Sequence, residues 1–256
     1  MLTGVLSLRM RYVIECSYKG TVFHGWQVQD NAPTVQGFIE QALTTVLRQP
    51  MQIVGSSRTD AGVHAAQQFA HFDVQEPLNN IEKMVYAMNG ILPKDIAIQQ
   101  IKMVPDEFHS RFDATHRRYL YRISSHKTPF LQDLMYFYRA PLDVEQMNRA
   151  GEILKKHIDF QCFSKVHTDV ATFNCKIEWA YWEQQDQFLL FHIKADRFLR
   201  GMVRAIVGTM LDVGTGKLSL SGFEAIILSK SRQKAGRAVP AEGLTLAEVG
   251  YPEGIW

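Results

Sequence analysis

The chain has 256 residues, 46% hydrophobic and 21% charged, enough for one large or two small globular domains with a sizeable core. A net charge of +2 excludes a strongly polycationic or polyanionic chain, so any polyanion must be held by local clusters of Lys and Arg. No apolar run approaches the roughly 20 residues that span a bilayer, and Cys16, Cys162 and Cys175 are too scattered for a disulfide framework, which points to a reducing, cytoplasmic setting.

The opening stretch MLTGVLSLRMRY has too short an apolar part for a signal peptide, and residues ahead of Met10 read as a loose tail or as sequence before the true start. Tyr12, Ile14, Cys16 and Tyr18 alternate with Arg11, Val13, Glu15 and Ser17, which predicts a strand over 11–18. Lys19-Gly20 ends it, and Phe23-His24-Gly25-Trp26 reads as a loop. Thr34 is placed to cap a helix to Leu47, with Phe38, Ala42, Val46 and Leu47 facing inward. A short strand over 51–54 leads into the loop GSSRTDAGVHA, followed by a strand over 68–74, a helix over 81–88 and a strand over 96–104. This β-α-β-β-α-β order is typical of α+β folding on an antiparallel sheet. Further on, the pattern predicts a strand over 118–124, a helix over 144–154, and strands over 175–182 and 188–193 joined as a hairpin across 183–186. Leu199, Met202, Val203, Ile206, Val207, Met210 and Leu211 then recur at helical spacing until Gly214. The expected class is α+β, in two halves over 10–105 and 106–256, and one continuous sheet through both also fits the pattern.

The nine histidines show no His-x-x-x-His or His-Glu-x-x-His spacing and no Cys/His cluster, so no metal is expected. His71, in a strand pattern, reads as a satisfied or half-buried ring. The run from Gly208 to Lys217 imitates a phosphate loop, but Leu218 stands where Ser or Thr is needed and a helix precedes it; a glycine cap and turn is the reading. In the tight turn SRTDAGVH over 57–64, Asp60 is either a capping or Asx-turn residue or a reactive carboxylate. In Arg117-Arg118-Tyr119-Leu120-Tyr121-Arg122, alternation sends Tyr119 and Tyr121 to one face and Arg118 and Arg122 to the other. That strand offers a base a ring and phosphate its charges, or packs a core Tyr pair under a solvated basic face. Arg197, Arg200 and Arg204 form a basic stripe on the predicted helix, and Arg204, between Val203 and Ile206, is expected to be part-buried and to need a carboxylate. Lys230, Arg232, Lys234 and Arg237 make a second basic cluster.

Taken together, these segments resemble the bacterial tRNA pseudouridine synthase A family from about Arg11 to the C-terminus. SRTDAGVHAAQQFAHF over 57–72 is the most specific piece, supported by YKGTVFHGWQVQ, TVQGFIEQAL, RRYLYRI, FLRGMVRAIVGTMLDVG and VPAEGLTLAEVGYP. The resemblance implies an α+β fold of two related halves on a mostly antiparallel sheet with flanking helices, a homodimer, and a basic cleft for the anticodon arm of tRNA. It implies isomerisation of uridines 38, 39 and 40 to pseudouridine. Residue by residue, it makes Asp60 the catalytic aspartate, Tyr119 the ring against the target base, Arg204 the partner of the aspartate, and Arg58 an aid to base extrusion. At Ser57 the chain departs from the family, which usually has glycine there.

The implied reaction breaks the bond from ribose C1′ to uracil N1 and remakes it to C5, with no redox change and no net hydrolysis, so it asks for no cofactor and no metal. A carboxylate serves as nucleophile towards uracil or C1′, or as base towards a ribose proton; an arginine partner favours its ionised form and aims it. The base must leave its stack, at a cost that stacking and phosphate contacts offset. A non-catalytic RNA-binding protein would have no use for the set Asp60, Tyr119 and Arg204, and a carboxylate hydrolase would show a second carboxylate or a metal site.

Overall fold

The structure, a computed structural model, describes residues 9–166 and 170–256; the loose tail expected ahead of Met10 lies, apart from Arg9, outside the described residues. Strand β1 (Met10–Tyr18) is where the two-residue period begins, and it pairs antiparallel with β3 (His64–Val74) on one side and β4 (Ile96–Val104) on the other. Between them come helix α1 (Val35–Leu47), the two-residue β2 (Val54–Gly55) and α2 (Ile81–Ile91), so the β-α-β-β-α-β order holds. The Thr34 hydroxyl accepts the Gly37 N–H and caps α1 as its position predicts.

The rest of the chain gives β5 (His116–Ser124), β6 (Tyr136–Phe137), α3 (Val144–Leu154), β7 (Ile177–Gln185), β8 (Phe188–Ala195), α4 (Met202–Gly214), α5 (Leu220–Ser229) and β9 (Leu244–Gly250). All nine strands join one sheet in the order β4-β1-β3-β9-β5-β8-β7, with β2 on β3 and β6 on β5. Among the described residues only the β3–β9 and β5–β6 pairings are parallel. The fold is therefore α+β, with a mostly antiparallel sheet and flanking helices: α2 packs on β4 and α1, and α3 packs on β7, α4 and α5. Cys16, Cys162 and Cys175 are buried free thiols. Among the described residues no helix is long and apolar enough to cross a membrane.

Three local expectations are corrected. The fully buried face of α1 is Val35, Ile39, Ala42 and Leu43, while Phe38, Val46 and Leu47 flank it partly buried. The hairpin strands run on to Gln185, because exposed polar residues extend a strand as readily as they form a loop; the turn falls at Asp186, φ +51°. Helix α4 starts at Met202 instead of Leu199, since Gly201 takes a left-handed φ of +71° just before it. Leu199 is buried ahead of the helix, and Arg197 and Arg200 lie in the approach loop.

Inside α4, Gly208 faces the segment that leads to β9 so closely that a Cβ would strike the Arg237 carbonyl oxygen. Gly208→Ala is expected to lower unfolding stability by about 1–3 kcal/mol through overpacking, measured as a shift in the denaturant midpoint at unchanged m-value.

Candidate active site

Main-chain contacts shape the turn that carries Asp60. Val63 N–H bonds the Asp60 carbonyl at 3.1 Å, and Gly62 inside that turn takes φ +80°, which glycine adopts without strain. Gly25, φ +90°, approaches so near that a Cβ there would lie 2.5 Å from the Thr59 carbonyl oxygen, and Trp26 N–H bonds that oxygen at 3.2 Å. The Tyr18 hydroxyl shares a hydrogen bond of 2.8 Å with Thr59 Oγ1. Downstream, His64 Nδ1 accepts the Gly20 N–H at 2.9 Å, which leaves Nε2 to donate to the Glu242 carbonyl at 3.1 Å. Burial lowers the His64 pKa and keeps this neutral tautomer. Upstream, Gln68 Nε2 bonds the Ser57 carbonyl at 2.7 Å. Ser57 is not one of the positive-φ residues, so serine fits where the resembled family has glycine.

Asp60 meets two guanidinium groups. Arg204 Nη1 stands 3.6 Å from Oδ2 and Arg200 Nε 3.6 Å from Oδ1. Both distances exceed hydrogen-bond reach, so charge holds the pairs while the carboxylate's lone pairs stay uncommitted. Arg204 has the more protected side chain, 23% exposed against 61% for Arg200. Its Nε donates to the Val239 carbonyl at 2.7 Å, which fixes the guanidinium to the segment before β9. The sequence read Arg200 only as part of a helical stripe; its place beside Asp60 follows from the left-handed break at Gly201.

Tyr119 and Tyr121 face the buried side of β5, as alternation predicts. Tyr119 is 8% exposed, and Phe198 braces its ring edge-on at 5.1 Å and 88°. Burial first, then the Asp60 carboxylate, outweigh the pull of Arg117 and push its phenol pKa up to about 12. Tyr121 donates to the Pro240 carbonyl at 2.8 Å and belongs to the scaffold. Arg58 is exposed and makes no ion pair among the described residues. On the opposite face of β5, Arg118 is engaged with Glu248 at 2.9 Å, and Arg122 with the Leu134 carbonyl at 2.9 Å and the Phe188 ring. Of the second basic cluster, Lys230 pairs with Asp159 at 2.7 Å and Arg232 bonds the Ala235 and Gly236 carbonyls, while Lys234 and Arg237 stay exposed. His71 is buried against Ser110, its pKa lowered to about 4 by burial. Among the described residues no three His, Cys, Asp or Glu side chains gather as a metal site.

A carboxylate between two guanidinium groups, near enough to the buried Tyr119 to act on its pKa, suits an enzyme that draws a base out of RNA and rearranges its glycosidic bond, the chemistry of the pseudouridine synthase class. Comparison with known proteins agrees. The profile described as tRNA pseudouridine synthase matches residues 16–113 and 157–252. The tRNA pseudouridine synthase A of Parabacteroides distasonis is 50% identical over 246 residues, 96% of this chain and 98% of the relative. That of Bacteroides fragilis is 47% identical over 96% of this chain and 98% of the relative, and that of Bacillus licheniformis 40% over 94% and 99%. The chain belongs to the tRNA pseudouridine synthase family. It is an isomerase that converts uridine to pseudouridine in tRNA.

Burial disfavours the phenolate of Tyr119, so its titration moves from 10 up to about 12 and the ring stays neutral at every working pH. The rate profile between pH 7 and 10 is expected to show no limb that Tyr119→Phe removes. Tyr119→Phe, which keeps the ring and removes only the hydroxyl, should stay within about tenfold of the parent rate.

Proposed function

We propose that the chain isomerises uridines 38, 39 and 40 of the tRNA anticodon stem-loop, with Asp60 as the catalytic carboxylate. The observation that carries this reading is the setting of Asp60: a turn closed by its main chain, and a side chain held between Arg200 and Arg204 by charge alone. A capping or Asx-turn aspartate would spend its oxygens on backbone N–H groups; here the oxygens face cations and remain able to attack or to take a proton. Arg204 aims the carboxylate and favours its ionised form. Tyr119 supports the extruded base, and Arg58, exposed beside the turn, assists the extrusion at the expense of RNA stacking. The reaction conserves every atom and every electron of the nucleotide, so side chains suffice and no cofactor is invoked. The enzyme works in the cytoplasm as a homodimer, whose two basic surfaces reach the anticodon arm and the distant elbow of one tRNA better than a single surface does.

Asp60→Asn keeps size and turn preference but removes the charge and the reactive oxygen. Pseudouridine formation is expected to fall by roughly 10³-fold or more while tRNA affinity is kept. Arg204→Ala should cost about 10²- to 10³-fold. Substantial isomerisation by a folded Asp60→Asn enzyme would refute the catalytic role. Light scattering at concentrations active on tRNA is expected to give twice the chain mass of 29.3 kDa, and a monomer mass would remove the dimer from the proposal.

A further inference from the structure

Arg117 stands two residues before Tyr119 on β5, on the same buried face, and is 8% exposed. No carboxylate pairs with it among the described residues. Its guanidinium instead meets five oxygens. Nη2 donates to the Ser56 carbonyl at 3.0 Å and the Arg111 carbonyl at 2.8 Å. Nη1 donates to the Asp196 carbonyl at 3.0 Å and the Ala114 carbonyl at 3.1 Å, and Nε reaches Ser57 Oγ at 3.4 Å. A guanidinium has five N–H donors in a fixed fork, so every one of them is used. Burial lowers the Arg117 pKa, and a buried cation persists only where its donors are satisfied.

The oxygens belong to segments that the active site needs held together. Ser56 and Ser57 are the root of the turn that carries Asp60. Asp196 follows the end of β8 and opens the approach to α4, four residues before Arg200 and eight before Arg204. Arg111 and Ala114 lie on the link between β4 and β5. Ser57, the position at which this chain departs from the resembled glycine, supplies the fifth acceptor.

We propose that Arg117 is a positioning residue: it locks the root of the Asp60 turn to the segment bearing Arg200 and Arg204, and so fixes the carboxylate against its cations when RNA enters. This rests on the reading of Asp60 as catalytic. A lysine keeps the charge but offers three donors on a flexible stem, so it leaves at least two of the five oxygens unbonded. The turn is then free to shift, and a displacement of about 1 Å at a reacting group is worth about 10²-fold in rate.

The test is Arg117→Lys in the full chain, assayed by single-turnover pseudouridine formation at saturating enzyme, with tRNA affinity and thermal midpoint measured in parallel and Asp60→Asn run alongside. The expected result is a folded protein with tRNA affinity within about threefold of the parent and a rate constant lower by roughly 10- to 100-fold. A purely structural arginine would lower the thermal midpoint and the active fraction but leave the single-turnover rate constant unchanged, and that result overturns the proposal. If Arg117→Lys does not fold, Ser57→Ala, which removes one acceptor, decides: a slower rate at unchanged affinity supports the lock, and an unchanged rate overturns it. An active Asp60→Asn enzyme would overturn the reading of Asp60 itself. An inactive Asp60→Asn enzyme beside an Arg117→Lys enzyme of parental rate constant would overturn the positioning role alone.

Discussion

The pairing of β9 with two strands at once is the contact on which the rest of the structure depends. Thr245 and Leu246 lie beside His64 and Ala65 of β3, and residues from Leu244 to Gly250 run along β5. Asp60 sits just before β3, Tyr119 is on β5, and Leu246 stands opposite Tyr119. The carboxylate and the ring are therefore brought near each other because a single short strand joins β3 to β5 within one sheet. The segment before β9 carries the same coupling further, since Val239 receives Arg204, Pro240 receives Tyr121 and Glu242 receives His64.

The site divides its cations by task. Arg117 spends all its donors on carbonyls and a hydroxyl and is buried, as a group held by geometry must be. Arg204 is half committed, with one nitrogen on Val239 and another facing Asp60. Arg200 and Arg58 are largely open to solvent. Commitment to the scaffold thus falls as exposure rises, from Arg117 through Arg204 to Arg200.

Most of the strands were legible as two-residue alternation, α1 as helical spacing after a capping threonine, and α3 as a helix over 144–154. What escaped did so for identifiable reasons. The apolar stripe of α4 continues through Leu199 at helical spacing, yet one left-handed glycine delays the helix, and periodicity does not report φ. Strand β9 shows Leu244 and Leu246 inward, but the register shifts at the next step, where Ala247 is the extra residue, and the alternation is broken. Its place between β3 and β5 is a matter of topology that no local pattern holds. Asp60 was visible as a motif, whereas its two arginines come from residues far along the chain, and only Arg204 was marked by its position beside an apolar stripe. Arg117 was within reach: alternation puts it on the face of Tyr119 and Tyr121, where an arginine must find partners.

Among the described strands, the central one is also the last in chain order. Until β9 has left the ribosome, β3 and β5 keep unpaired edges, and the support of His64 by Glu242, 178 residues away, does not exist. Contacts of such separation form late, because the loop they close must first be brought together. The Asp60 motif is therefore complete in sequence long before His64, which follows it, has its partner.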